Sequence, residues 1–117
     1  MIILCTGSRD FSNYELVIDV LSEYDPSKTT LVHGEAKGLD TIVDRVGKLM
    51  GFTVVSYPAD WSSGRKQEGN WRNSQMLYES KPDLVLGFRS KLNSRGTNDM
   101  LYKAGIAGIE HKIYDDW

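Results

Sequence analysis

The chain has 117 residues, 40% of them hydrophobic and 26% charged, with a formal net charge of −2. That length fits one domain with a real core and is too short for two, and the composition is that of a folded globular protein, not a disordered one. The slightly acidic balance argues against a broad nucleic-acid surface; no apolar run approaches the ~20 residues of a membrane helix and the apolar start is too short for a signal peptide, so no membrane partner and a cytoplasmic location are expected.

Residues 2–6 read as a buried first strand, ended by Gly7, Ser8, Arg9, Asp10 and Phe11. Cys5 lies inside that strand; as the single cysteine it can form no internal disulfide and reads as a small buried hydrophobe. Ser12 with Glu15 has capping-box spacing, and Leu16, Val17, Val20, Leu21 and Tyr24 recur at helical intervals. Asp25 and Pro26 break that helix. A second strand over 29–33 runs into Gly34, Glu35, Ala36, Lys37 and Gly38, and a second apolar helical face follows from Leu39 to Met50, stopped by Gly51. Residues 52–57 form the third strand.

The segment 58–72 shows no helical period, and connections of that length are often functional, so it is expected to close over a ligand as a lid. A short helix over 73–79 is expected next, and Pro82 resets the chain. Leu84, Val85, Leu86 and Phe88 then form a nearly continuous apolar run, as in a parallel strand covered on both faces. The loop after it ends in Gly96 and Thr97 just before a helical pattern carrying Met100, Leu101 and Ala104. There, free backbone N–H groups and the positive end of a helix dipole suit an anion, with Thr97 as cap or phosphate donor and Arg89, Lys91 and Arg95 nearby. Residues 109–114 supply the last strand.

Strands separated by helices imply right-handed parallel crossovers. The expected fold is a single α/β, Rossmann-like domain over 1–117, with a parallel sheet of about five strands in the order 3-2-1-4-5 and helices on both faces. Chain direction reverses between strands 1 and 4, so the Gly7 and Gly96 loops flank the crevice where such sheets bind ligands. Eight of the 14 Lys and Arg residues (Arg9, Lys37, Arg65, Lys66, Arg72, Arg89, Lys91 and Arg95) fall in segments placed after strands, a pattern that fits a small anion better than a long polyanion. Cys5, His33 and His111 have no metal-ligand spacing, so no metal is expected.

Five segments together resemble a known family: Gly7 to Phe11, His33 to Asp40, Pro58 to Trp61, Arg72 to Met76 and Gly96 to Met100 look like successive motifs of the YspA/cpYpsA-related branch of the SLOG (SMF/DprA-LOG) superfamily. The resemblance spans nearly the whole chain. It implies a Rossmann-like module that binds a nucleotide or nucleotide-derived ligand, in nucleotide signalling or phage conflict, with no cofactor; the superfamily's habit of pairing helices implies a homodimer. The superfamily also holds phosphoribohydrolases that cleave a base from a nucleoside monophosphate, with an Arg before a Met-containing helix and a catalytic Glu three residues after a Gly-Thr pair. Arg72 matches the first element. Met100 stands where the Glu would be, which leaves Asp99, turned about 100° around a regular helix, or Glu35, where the branch usually has Gly, as the carboxylate of an N-glycosidase.

The residues carry alternatives. Ser8 and Arg9 can bind phosphate oxygens, while Arg9 equally reads as an ion pair with Asp10 or Asp40. His33 reads as an acid or base, a ribose contact, or a hydrogen-bonding residue at a strand end. Asp40 reads as the holder of the Gly34 loop, or as a ribose contact. Trp61 and Trp71 offer faces on which a base could stack, worth about 1–3 kcal/mol, and Trp61 can instead anchor the lid. Arg72, followed by Asn73, is the foremost phosphate ligand because it opens a helix on the same sheet edge as Thr97. Against binding stand two rivals: the N-glycosidase, and a protein-interaction module with a vestigial pocket.

Overall fold

The computed structural model describes residues 1–57, 68–92 and 94–117, and for 68–71 the backbone course alone. Trp61, Arg65 and Lys66, and with them the proposed lid, lie outside the described residues, as does the Trp71 side chain. Among the described residues, five strands alternate with four α-helices: β1 (Ile2–Gly7), α1 (Tyr14–Leu21), β2 (Thr30–His33), α2 (Leu39–Met50), β3 (Thr53–Ser56), α3 (Glu68–Ser80), β4 (Leu84–Ser90), α4 (Arg95–Ile106) and β5 (Glu110–Asp116). The strands are all parallel in the order β3-β2-β1-β4-β5, as the crossover argument requires. Among the described residues no helix is long and apolar enough to cross a membrane.

Side-chain alternation along the central strands divides the core in two. Ile3 and Cys5 of β1, Leu31 of β2 and Leu84, Leu86 and Phe88 of β4 face α1 and α2, where Val17, Leu21, Leu39 and Val43 meet them. Leu4, Val32 and Val85 point the other way, onto Met76 and Leu77 of α3 and Met100, Leu101 and Ala104 of α4. Burying each large aliphatic side chain contributes about 1.5–3 kcal/mol, so both layers bind the helices firmly to the sheet. Gly87 sits where α4 comes closest, since a Cβ there would lie 2.9 Å from a Leu101 methyl.

Several boundaries differ from the sequence reading. The cap of α1 is Asn13, whose Oδ1 accepts from the Leu16 N–H at 3.0 Å, not Ser12. Because α1 ends at Leu21, Tyr24 packs on the core from beyond the helix. Helix α3 begins at Glu68, so Arg72 lies within a helix instead of opening it. The first turn of α4 contains Gly96 and Thr97; the cap position is Ser94, which makes no capping bond. Strand β5 runs past the expected end at 114 to take in Asp115 and Asp116, because they pair with Arg89 and Ser90 of β4.

Candidate functional site

The loop after β1 is bound into its neighbours by main chain and hydroxyls. A Cβ on Gly7 would lie 2.3 Å from Leu39 Cγ, so glycine is needed there for α2 to approach β1. The Ser8 N–H donates to Phe88 O at 3.0 Å, and Ser8 O accepts from the N–H groups of Phe11 and Leu39. Its hydroxyl is equally engaged. Ser8 Oγ accepts from the Ser90 N–H at 3.0 Å and lies 3.1 Å from Ser94 Oγ, which itself donates to Ser90 O at 2.8 Å. The hydrogen shared by the two hydroxyls therefore comes from Ser8, whose side of the crevice is stitched to the β4–α4 loop. Arg9 beside it is exposed.

The loop after β2 is held by two buried side chains, His33 and Asp40. His33 Nδ1 accepts from the Glu35 N–H at 3.0 Å, which fixes the hydrogen on Nε2, and Nε2–H donates to Asp44 Oδ1 at 3.0 Å. The imidazole bond, with Lys48 adding to it, holds the Asp44 carboxyl below its ordinary range. Both ring nitrogens of His33 thus serve the fold. Asp40 accepts from the Gly34 and Ala36 N–H groups at 3.0 and 3.1 Å, the loop-holding role read from its position. Burial pushes its carboxyl upward, against the opposing pull of those donors, His33 and Arg72. Glu35 stands exposed with φ +56°, in the left-handed region, and Lys37 is also exposed.

Arg72 and Asn73 join this loop to α4. Arg72 Nη1 donates to Gly34 O at 2.6 Å and lies 4.0 Å from Asp40 Oδ2, with 13% of the side chain exposed. A Cβ on Gly34 would fall 1.4 Å from that nitrogen, so the glycine exists to admit the guanidinium. The cation in contact with Asp40 is therefore Arg72. Burial pushes its pKa down, with Asp40 opposing, and its Nε is buried without a partner among the described residues. Asn73 is buried, and its Nδ2 donates to Gly96 O at 3.3 Å and to Asp99 Oδ2 at 3.1 Å.

The start of α4 has a different character. The N–H groups of its first turn have no preceding turn to accept them. A Cβ on Gly96 would meet nothing within 4 Å, so internal packing gives no reason for glycine at a position where it costs the helix about 0.5–1 kcal/mol. Next to it, Thr97 is 1% exposed and its Oγ1 has no hydrogen-bond partner among the described residues. Met100 is wholly buried between α4 and the sheet, so the position where the resemblance to phosphoribohydrolases would put a Glu belongs to the core. The cations expected around this loop divide. Lys91 and Arg95 are exposed, whereas Arg89 forms a two-point pair with Asp115 (2.5 and 2.7 Å), donates to Asn98 at 3.1 Å and lies 5.6 Å from the Trp117 ring.

The structure thus brings Gly34, Arg72, Asn73, Gly96, Thr97 and Asp99 to one region between the starts of α3 and α4, and places Ser8 against the β4–α4 loop. Residues passed over in the sequence take part. Lys103 pairs with Asp99 at 2.9 Å, a contact that its i,i+4 spacing foretells. Ser90 and Ser94 carried no such signal, because their partner is more than 80 residues away.

A family model described as "YspA, cpYpsA-related SLOG family" matches residues 1–64. This chain belongs to that family. It is also 35% identical over 115 residues to "Gene 61 protein" of Mycobacterium phage D29, covering 92% of this chain and 90% of the phage protein. The SLOG match contains the Gly7 and Gly34 loops, while α3 and α4 lie beyond it and within the reach of the phage comparison. SLOG membership points to a nucleotide-related function, and among the described residues no cluster of three His, Cys, Asp or Glu is placed to hold a metal ion.

Proposed function

We propose that this protein binds a small nucleotide-derived ligand through a phosphate at the N-terminal end of α4. The observation that carries the reading is Thr97 Oγ1, a buried hydroxyl without a partner among the described residues, beside Gly96 and the first-turn N–H groups of α4. An unpaired buried hydroxyl costs about 1–3 kcal/mol, and a phosphate oxygen is an acceptor that relieves it. Exposed Arg9, Lys37 and Arg95 supply charge at the same sheet edge. Arg72 acts mainly by holding the Gly34 loop in place, and its buried Nε has no partner among the described residues. The protein works in the cytoplasm, and as a homodimer it would pair helices that expose Tyr78, Tyr102 and Ile106.

Native mass spectrometry of freshly purified protein is expected to show a co-purified nucleotide. Thr97→Val keeps the shape and removes the hydroxyl. We expect its melting temperature to stay level or rise, while affinity for a phosphate-bearing ligand falls roughly 10-fold. Unchanged affinity in a folded variant would remove Thr97 from the site.

The N-glycosidase reading requires a carboxylate against the positive charge that builds on ribose as the base departs. With Met100 in the core, that role falls to Asp99 or Glu35. We propose binding without efficient turnover, since a positioned acid or base is worth about 10²- to 10⁴-fold in rate. Incubation with nucleoside monophosphates should release no free base by chromatography. Multiple turnover that disappears in Asp99→Asn or Glu35→Gln would establish the enzyme instead.

A further inference from the structure

The peptide unit between Gly34 and Glu35 is held at both ends by ionisable side chains from different elements. Its carbonyl, Gly34 O, accepts from Arg72 Nη1 of α3 at 2.6 Å, and its N–H, that of Glu35, donates to His33 Nδ1 at 3.0 Å. The second bond exists only while the imidazole is neutral. A proton added at Nδ1 turns that nitrogen into a donor, so that two hydrogens face each other across 3.0 Å. The ring is kept from turning away because Nε2–H is held by Asp44 Oδ1 at 3.0 Å, a bond that strengthens when the ring is charged. The backbone must yield.

We infer that the Gly34–Glu35 peptide is a proton-operated switch: with His33 neutral it presents its N–H to Nδ1, and with His33 protonated it turns over, gives the Gly34 carbonyl to Nδ1–H and lets go of Arg72. Rotation of the unit changes Gly34 ψ and Glu35 φ together, taking Glu35 from +56° to about −120°, out of the left-handed region and into the extended one. Gly34, without a Cβ, accepts the new ψ. The N–H groups of Gly34 and Ala36 stay on Asp40 Oδ2 at 3.0 and 3.1 Å, so the change is confined to one peptide. The Glu35 N–H then faces Arg72 Nη1, donor against donor, and the guanidinium is left with Asp40 at 4.0 Å and Asn73 Oδ1 at 3.5 Å. Arg72 passes from loop support to free donor.

Among the described residues, the ionisable groups around this imidazole come from three neighbouring elements. Helix α2 brings Asp44, whose other oxygen takes Lys48 at 3.0 Å, and Asp40; α3 brings Arg72. On β1, Cys5 lies on the same side of the sheet and stays an uncharged thiol, because burial pushes its pKa up. Strand β3, with Ser56 in register with His33, adds no charge. Glu35 itself is exposed. No ligand is required for the switch to act, so it stands or falls independently of the phosphate reading.

The test is NMR on the isotope-labelled full chain without ligand, between about pH 8 and pH 5, the range in which an imidazole changes charge. The His33 ring nitrogens, the Glu35 amide, the Arg72 guanidinium and the Asp40 carboxyl carbon are followed together. We expect the Glu35 and Arg72 signals to change with the midpoint of the His33 ring, and protection of the Glu35 amide from hydrogen exchange to fall about 10-fold, as for one lost hydrogen bond. Asp40 holds the same loop and burial raises its pKa, so Asp40→Asn, which keeps an oxygen acceptor, separates the two groups. There the linked change should persist, and in His33→Gln it should vanish. If His33→Gln does not fold, the unaltered chain decides alone. Ring titration that leaves Glu35 and Arg72 unmoved, or unfolding before the ring takes a proton, would overturn the switch. A change that follows the Asp40 carboxyl instead, or is lost in folded Asp40→Asn, overturns it equally.

Discussion

At the scale of single residues, two carboxylates on α2, Asp40 buried and Asp44 part-exposed, face opposite demands. Asp44 accepts from the imidazole of His33 and from Lys48, and its pKa is lowered. Its contribution to stability is present above the unfolded value of 3.8 and is lost as pH falls through the folded value. Asp40 is more deeply buried, and desolvation raises its pKa. A raised carboxyl contributes stability that is full below 3.8 and disappears as pH rises through the folded value. The loop after β2 is therefore held by a carboxyl whose charge burial resists and which two N–H donors and Arg72 support. We expect Asp40→Asn to remove a downward slope of stability as pH rises above 3.8, read from urea midpoints across a pH series. A profile identical to that of the unaltered chain would mean that Asp40 titrates alike folded and unfolded.

At the scale of elements, the start of α1 depends on one side chain. Asn13 Oδ1 takes the Leu16 N–H, and Asn13→Ala should cost about 1 kcal/mol in equilibrium unfolding, whereas Ser12→Ala should cost little. Equal losses would return the cap to Ser12. The sequence made the wrong residue look right because Ser12 and Glu15 satisfy a spacing rule, while the choice between adjacent cap formers depends on backbone angles that a sequence does not display. Strands β1 and β4 were legible for a plain reason: burial on both faces leaves continuous apolar runs. The beginning of α3 was not, because Glu68, Gly69 and Asn70 carry no apolar period. Gly7 and Gly34 make room for Leu39 and Arg72, contacts made across 32 and 38 positions that no local pattern encodes. Gly96 alone among these three has open space beside it.

At the scale of the whole molecule, the strand order that the crossovers imply is the one observed, and it puts β1 and β4 side by side in the centre although they lie about 80 positions apart. Their pairing begins with Ile2 and Asp83, where Ile2 N–H donates to Asp83 Oδ2 at 2.8 Å and Asp83 N–H donates to Ile2 O at 2.8 Å. Residues 1–64, the span of the family match, contain β1, β2 and β3 with α1 and α2. They lack every helix of the second core layer. As a fragment they should show no cooperative thermal transition, and a sharp one by circular dichroism would mean that this half is a folding unit in its own right.

That separation of β1 from β4 also has a consequence for the chain as it is made. While the first three strands leave the ribosome, the inner edge of β1 offers unpaired N–H and C=O groups, and Leu4 and Val32 face water. Neither is covered until β4 and the helices around it have been synthesised. For that interval the nascent chain presents a bare sheet edge beside an apolar face, which is the form of surface that chaperones hold and that other unfinished chains bind. A slower passage through the codons for 65–90 would lengthen that exposure and favour aggregation over folding.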